Sequence, residues 1–172
     1  MRDFDTSLYF ITDSYNYTEQ EFLFRVEEAL KGGVTLMQLR EKEKSTREYI
    51  ELAQKVHNIT RKYNVPLIID DRVDVALAID AEGVHVGQSD MPVNIARKLM
   101  GEDKIVGATT KTVEQAKREL ESSGISIKTV GSGEKVVRQL PSAGHLISRG
   151  GTVVLYTDDS ENTKVTVPDF SG

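Results

Sequence analysis

The chain contains no cysteine, which excludes disulfide bonds and thiolate chemistry. It has only 4 Pro in 172 residues, and its hydrophobic fraction of 38% is that of an ordinary globular protein. No apolar run approaches the roughly 18 residues of a membrane-spanning helix, and the N-terminus lacks a basic segment followed by a long apolar one. The net charge of −5, without a Lys/Arg stripe, argues against nucleic-acid binding. We therefore expect a cytoplasmic protein that is neither exported nor bound to a membrane.

The first part of the chain alternates short β-type runs with amphipathic helical segments. Strands are predicted at residues 8–11, 34–39, 67–69, 83–86 and 105–108. A capping box with Thr18 and Glu21 begins the first helix, and Ser45-Thr46-Arg47-Glu48 begins the second. The connections are short enough for five βα units in a parallel sheet.

Polar side chains follow four of these strands at the point where each strand ends. The four sites are QLREK at residues 38–42, Asp70 with Asp71, HVGQSD at residues 85–90, and TTK at residues 109–111. Active sites of parallel α/β proteins are built at this end of the sheet. The pattern therefore predicts a single functional edge.

The first of these segments is rich in cations. Arg40 and Lys42 lie two residues apart, so both side chains can point the same way, and with Gln38 they would form a pocket for a phosphate or diphosphate. A solvated, charged loop is the alternative interpretation.

The carboxylates suit a hard metal ion. Asp70 and Asp71 follow a buried strand and Asp90 ends the next strand and loop, an arrangement in which one or two carboxylates hold Mg²⁺ while phosphate oxygens fill other positions. Alternatively, these residues cap the helices that follow them.

The other polar strand ends are less specific. His85 lies within a strand, where a packed, hydrogen-bonded histidine is more common than a catalytic base. Thr109 and Thr110 could bind an anion at the start of a helix, or they could provide only an ordinary N-cap.

From about residue 124 the pattern changes. Thr112 is predicted to cap a helix at residues 113–120, after which short strands at residues 125–130, 136–140, 152–156 and 165–168 alternate with Gly-rich turns. This spacing predicts a small antiparallel sheet.

The first part resembles the thiamine phosphate synthase family. The residues that carry the resemblance are LYFITD, GGVTLMQLREK, VPLIIDDRVDVALAIDAEGVHVGQSDMP and KIVGATTKTVEQA, from residue 8 to about residue 116. The resemblance implies a partial TIM-type (βα) barrel, the first five strands of an eight-stranded one. A complete barrel usually needs roughly 200 residues or more.

The resemblance also implies site residues. In the family the QLREK segment, the residue before the metal-binding Asp, and a hydroxyl residue ending the fifth strand bind a pyrimidine diphosphate, while two Asp residues bind Mg²⁺. The implied substrate-binding residues are Gln38, Leu39, Arg40, Glu41, Lys42, Asp70 and Thr109, and the implied metal ligands are Asp71 and Asp90. Asp70 replaces the more usual Asn, and Lys111 stands where His is common.

The implied reaction joins hydroxymethylpyrimidine diphosphate to thiazole phosphate and releases pyrophosphate. Arg40, Lys42 and Mg²⁺ would stabilise the departing pyrophosphate. The family's strands six to eight and its thiazole-phosphate loops have no counterpart in the sequence, so we expect impaired turnover. Five barrel strands also leave open sheet edges, through which the chain could self-associate.

The remaining sequence resembles a different family, the PASTA repeat that follows penicillin-binding transpeptidases and membrane Ser/Thr kinases. GISIKTVGSGEKVVRQLPSAGHLISRGGTVVLYT carries this resemblance, and KVTVPDFSG resembles the opening of a next repeat. We therefore expect a barrel segment at residues 1–112 and a small α+β PASTA-like segment at residues 113–172. The alternatives to the enzyme interpretation are a non-catalytic module that binds peptidoglycan fragments or a partner, and a chimera without function.

Overall fold

The computed structural model describes residues 4–122, 124–140 and 150–160. The chain forms two compact units, Met1–Thr109 and Thr110–Gly172. The first unit alternates strands and helices in the order β1 (Tyr9–Asp13), α1 (Glu19–Lys31), β2 (Leu36–Arg40), α2 (Thr46–Lys62), β3 (Leu67–Asp70), α3 (Val73–Ala78), β4 (Gly83–Val86), α4 (Val93–Met100) and β5 (Ile105–Ala108). Among these described residues, no helix is long and apolar enough to cross a bilayer.

The five strands form one sheet in the order β1-β2-β3-β4-β5, and every neighbouring pair is parallel. The predicted α/β fold with a parallel sheet is thereby confirmed. Because all five strands run the same way, their carboxyl ends meet at one edge of the sheet.

Local sequence signals explain where the long helices begin. The Thr18 hydroxyl accepts a hydrogen bond from the Glu21 backbone N–H, and the Glu21 carboxylate accepts one from the Thr18 N–H. Ser45 and Glu48 form the same reciprocal pair at α2. Each box satisfies backbone donors that the first helical turn leaves unpaired.

The core lies between the sheet and the helices. Side chains alternate between the two faces of each strand, so Met37, Leu39, Ile69 and Val84 point to the helices and pack with Val56 of α2 in one cluster. All five are fully or almost fully buried. The opposite face carries the polar residues of the strand ends, among them Gln38, Arg40 and Asp70.

The outermost strand β1 is exposed. Among the described residues β1 pairs only with β2, and Tyr9, Phe10 and Ile11 are 38%, 39% and 52% exposed. A strand at a sheet edge presents unpaired backbone groups to any further strand.

The second unit contains α5 (Val113–Ser122), β6 (Ser126–Val130), β7 (Val136–Leu140) and β8 (Thr152–Thr157). Thr112 caps α5 as predicted, because its hydroxyl accepts the Gln115 backbone N–H at 3.2 Å. The predicted strand at residues 165–168 lies outside the described residues.

The expectation of a purely antiparallel small sheet was wrong. The order is β6-β8-β7, with β6 parallel and β7 antiparallel to the central β8. The Gly-rich turn after β6 does not close a hairpin. Instead, the Asp159 carboxylate accepts hydrogen bonds from the Ser132 and Gly133 backbone N–H groups and fixes that turn beside the end of β8.

Candidate functional site

Polar side chains gather at the carboxyl edge of the five-stranded sheet. We call Arg40, Lys42, Asp70, Asp71 and Asp90, with His85 and Thr109, the carboxyl-edge cluster. The strand register explains why they meet: Gln38 is level with Ile68, and Asp70 is level with His85. Level residues of parallel neighbours point to the same face, which here is the face opposite the helices.

Lys42 joins the two aspartates that end β3. Its ammonium lies 3.0 Å from the Asp70 carboxylate and forms a short hydrogen bond with Asp71. Arg40 Nε lies 3.6 Å from the same Asp70 oxygen. The hydrogen bond to Asp71 raises the pKa of Lys42 above its usual value, against the effect of burial, so Lys42 remains a cation in this setting.

Asp71 has an unusual backbone. Its φ is 60°, in the left-handed region that Asp and Asn tolerate better than most residues. The Arg72 N–H donates to the Asp70 carbonyl at 2.7 Å, and the Asp71 N–H donates to the His85 carbonyl of β4 at 2.7 Å. This tight turn directs the Asp71 carboxyl towards Lys42.

Asp90 completes the acidic side of the cluster. Its carboxylate accepts the Gly87 N–H at 2.8 Å, and a Cβ at Gly87 would lie only 2.8 Å from that same carboxylate oxygen. Burial raises the pKa of Asp90, the hydrogen bond from Gly87 opposes this, and the neighbouring Asp71 carboxyl raises it further.

The pair of carboxyls fits the demands of Mg²⁺. No group of three or more His, Cys, Asp or Glu side chains suited to a metal is present in the described part of the chain. The carboxyl groups of Asp71 and Asp90 nevertheless lie next to each other. Mg²⁺ binds hard carboxylate oxygens through one or two protein ligands and keeps its other positions for waters and phosphates. These two residues are therefore the ones that would hold the ion.

His85 and Thr109 connect β4 to the end of β5. His85 Nε2 and the Thr109 hydroxyl share a hydrogen bond of 2.8 Å, and Gln88 donates to the Thr109 carbonyl at 2.7 Å. The imidazole occupies the space above Gly107, where a Cβ would lie 2.6 Å from His85 Nδ1. His85 is thus packed and hydrogen-bonded. The sequence favoured this interpretation over a catalytic base.

Three residues of the predicted QLREK segment do not present free side chains to the cluster. Gln38 is buried and donates to the Tyr9 hydroxyl at 2.6 Å. The Leu39 side chain is in the helix-facing core, because it alternates with Gln38 and Arg40. Glu41 is 6% exposed at its side chain and accepts a hydrogen bond from Ser14 at 2.8 Å. The substrate contact predicted for Leu39 stays a prediction, and it can involve only the backbone of this residue because its side chain is in the core.

The strand-end residues divide between the two units. Thr109 ends the first unit, while Thr110 and Lys111 belong to the second, where the Lys111 N–H donates to Gln115 at 2.7 Å.

Sequence reasoning missed Tyr49 of α2. Its hydroxyl donates to the Leu39 carbonyl at 2.6 Å, immediately before Arg40. The helical spacing could have placed this residue on the buried face, but no sequence signal indicates which carbonyl its hydroxyl reaches.

Comparison with known proteins gives a consistent picture. The family model described as thiamine monophosphate synthase matches residues 8–134, which extends beyond the resemblance noted up to about residue 116. A thiamine-phosphate synthase of Methanobrevibacter smithii is 55% identical over 118 residues, covering 69% of this chain and 56% of the relative. One of Clostridium acetobutylicum is 50% identical over 132 residues, covering 77% of this chain and 62% of the relative.

A solved structure is also similar. The thiamine phosphate pyrophosphorylase from Pyrococcus furiosus matches with a TM-score of 0.61 and 39% identity, over 69% of this chain and 57% of that chain. The chain thus spans a little over half the length of the relatives it matches.

Proposed function

Because the chain belongs to the thiamine monophosphate synthase family, we propose that its carboxyl-edge cluster binds the diphosphate of an aminopyrimidine methyl diphosphate together with Mg²⁺. The observation that carries this proposal is the placement of Arg40 and Lys42 against Asp70 and Asp71 at the end of parallel strands. Two cations can take up phosphate oxygens there, and the carboxylates can take up the metal.

The reaction that we propose for this chain is the transfer of the aminopyrimidine methyl group from the diphosphate to a thiazole phosphate. The bond between the methylene carbon and a diphosphate oxygen breaks, the thiazole nitrogen bonds to that carbon, and pyrophosphate leaves with the electron pair. Mg²⁺ held by Asp71 and Asp90 would neutralise charge on the leaving group.

The protein's own residues act on the leaving group and its surroundings. Arg40 and Lys42 lie where they can hold the pyrophosphate oxygens as negative charge develops, and this stabilisation lowers the barrier. The Thr109 hydroxyl, fixed by His85, offers a further hydrogen bond to the substrate. No protein nucleophile is required, since the aminopyrimidine can carry the positive charge that remains on it.

The binding step is tested by calorimetry with the pyrimidine methyl diphosphate, with and without Mg²⁺. Asp71→Asn removes the charge and keeps a side chain that tolerates the left-handed backbone, so the turn is preserved. We expect wild-type binding to depend on Mg²⁺ and the variant to lose that dependence. Asp80→Asn is the matched control, because Asp80 also has a positive φ, 55°, and pairs with Lys104 outside the cluster.

Failure of the wild-type chain to bind the diphosphate would overturn the proposal, and so would an Asp71→Asn variant that keeps full Mg²⁺ dependence. Turnover is measured separately, by adding thiazole phosphate and following pyrophosphate release. We predict that turnover is slow while binding is retained.

We infer a cytoplasmic location, as for a biosynthetic enzyme of small molecules, and self-association through the exposed β1 edge. The PASTA-like segment stays a proposal: the described residues of the second unit form one helix and three strands, and the family match includes α5 and β6. Saturable binding of muropeptides without binding of the pyrimidine diphosphate would favour that alternative.

A further inference from the structure

Tyr49 is fully buried, and its hydroxyl lies between the ends of two strands. The hydroxyl donates to the Leu39 carbonyl of β2 at 2.6 Å and lies 3.5 Å from the Asp70 carbonyl of β3. Burial raises the pKa of this hydroxyl, and the negative charge of Asp70 raises it further, so it remains a donor.

Each of the two carbonyls directly precedes a residue of the carboxyl-edge cluster. Leu39 precedes Arg40, and Asp70 precedes Asp71. The Tyr49 hydroxyl therefore contacts the backbone immediately before the cation Arg40 and the backbone immediately before Asp71, the carboxylate proposed to bind the metal.

The Asp71 turn needs such support. A hydrogen bond between the Arg72 N–H and the Asp70 carbonyl, spanning a residue with φ of 60°, is the pattern of a γ-turn of the rare, strained kind. Strained backbone persists only where the surroundings hold it. Here β4 contributes the His85 carbonyl, and α2 contributes Tyr49.

The first turn of α2 makes a second connection to the same turn. Arg72 donates through Nη2 to the Thr46 hydroxyl at 2.8 Å. Thr46 and Tyr49 are three residues apart and therefore lie on the same side of the helix. Two side chains from one helical turn thus contact residues of the γ-turn, Tyr49 at the Asp70 carbonyl and Thr46 at the Arg72 side chain.

We propose that Tyr49 is a positioning residue of the carboxyl-edge cluster, whose hydroxyl fixes the backbone of Arg40 and Asp71 in the geometry that binds a diphosphate. The ligand in this inference rests on the proposed function. The positioning role itself is read from hydrogen bonds of the chain. A tyrosine that only fills the core would find an acceptor for its hydroxyl too, so the test separates stability from binding.

Tyr49→Phe removes the hydroxyl and keeps the ring. We expect the dissociation constant for the pyrimidine methyl diphosphate with Mg²⁺, measured by calorimetry, to rise roughly three- to tenfold, the effect of one lost hydrogen bond. We also expect faster hydrogen exchange at the Asp71 amide, followed by NMR, because its bond to the His85 carbonyl depends on the same turn.

Two controls are matched to this variant. Tyr63→Phe removes a hydroxyl that donates to Glu27 of α1 at 3.1 Å from the residue that follows α2, and it should leave diphosphate affinity unchanged. Val56→Ala truncates a fully buried side chain of the same helix α2. It should lower the urea midpoint at least as much as Tyr49→Phe without changing the dissociation constant.

The outcomes distinguish the two proposals. If the wild-type chain does not bind the diphosphate, the proposed function fails, and the exchange rate of the Asp71 amide still tests the positioning role. If the wild-type chain binds and Tyr49→Phe binds equally well with unchanged exchange, the positioning role is wrong. Equal loss of affinity in Val56→Ala would also overturn it, since the effect would then follow stability alone.

Discussion

At the scale of single residues, Asp70 is the departure from its family's pattern that bears most directly on the proposed substrate. The sequence resemblance places the more usual Asn at this position, and a carboxylate beside a diphosphate is expected to weaken binding. In the structure Asp70 is 8% exposed, and its carboxylate is flanked by Lys42 at 3.0 Å and Arg40 at 3.6 Å. We therefore expect Asp70 to compete with the proposed diphosphate ligand for these two cations.

Asp70→Asn should tighten binding of the pyrimidine diphosphate. Removing one negative charge near the site is worth about 1 kcal/mol at close range in water, which corresponds to roughly fivefold in the dissociation constant. Calorimetry at low and high salt checks the value, because an electrostatic gain should shrink as salt is added. Asp74→Asn is the control: Asp74 pairs with Arg72 at 2.5 Å and is exposed.

An unchanged or weaker affinity in Asp70→Asn would contradict this prediction and would indicate that the Asp70 carboxylate orients Lys42 rather than competing for it.

The sequence predicted the members of the cluster better than their contacts. Arg40, Lys42, Asp70 and Asp71 were identifiable because strand ends and side-chain alternation are local properties of the chain. Tyr49 was not, because its hydroxyl reaches carbonyls 10 and 21 residues away, a distance along the chain that helical periodicity does not encode. The positive φ of Asp71 was hidden for the same reason, since a bond from β4 helps to maintain it.

At the scale of elements, Glu82 joins α2 to the amino end of β3. Its carboxylate accepts the Leu67 N–H at 2.9 Å and lies 3.1 Å from His57 Nε2 of α2. Burial raises the pKa of Glu82, but the hydrogen bonds with His57 and Leu67 lower it more in total, so the net shift is downward. The charged carboxylate therefore stabilises the connection between these elements.

The stabilisation from Glu82 should depend on pH with a definite sign. A carboxyl whose pKa is lower in the folded state contributes stability above its unfolded value of 4.5 and loses it as the pH falls through the lowered folded value. We expect Glu82→Gln to lower the free energy of unfolding by about 1 kcal/mol at pH 7, a value that allows for the 38% exposure of the side chain.

Urea unfolding of wild type and Glu82→Gln at pH 7, 5.5 and below 4 measures this dependence. The difference between the two should persist from pH 7 to pH 5.5 and close at the acid end. Glu102→Gln, at an exposed position, should show no difference at any pH. A difference in the free energy of unfolding between wild type and Glu82→Gln that grows as the pH falls would have the opposite sign. It would contradict a lowered pKa of Glu82 in the folded state.

The elements also show where prediction from sequence ends. The five parallel strands followed from alternating periodicities and capping boxes, all local signals. The small sheet was predicted antiparallel because Gly-rich turns suggest hairpins, yet β6 pairs with β8 rather than with β7. That pairing is non-local, and so is the hydrogen bond from the turn after β6 to Asp159, 27 residues along the chain from Ser132.

At the scale of the whole molecule, β1 and β5 are the two edge strands of the five-stranded sheet that the described residues form, and β1 is the more exposed one. Strand β1 pairs on one side only in the described residues, and it carries neither Lys nor Pro, the residues that commonly protect an edge from further pairing. Its exposed Phe10 and Ile11 add apolar surface next to unpaired backbone groups. A second copy of the chain offers the same edge, so two β1 strands can pair antiparallel about a twofold axis.

A positive charge in the exposed edge should therefore reduce self-association. We expect wild type to show a concentration-dependent increase in mass by sedimentation velocity, and Ile11→Lys to shift that increase to several-fold higher concentration, because a charged side chain on β1 opposes pairing with an identical strand. Phe24→Lys changes a 62% exposed residue of α1, outside the strand, and should leave the association unchanged. Circular dichroism of both variants checks that they remain folded.

If Phe24→Lys lowers the association as much as Ile11→Lys, the contact is a general hydrophobic one rather than strand pairing. If wild type is monomeric at all concentrations, the β1 edge does not mediate self-association.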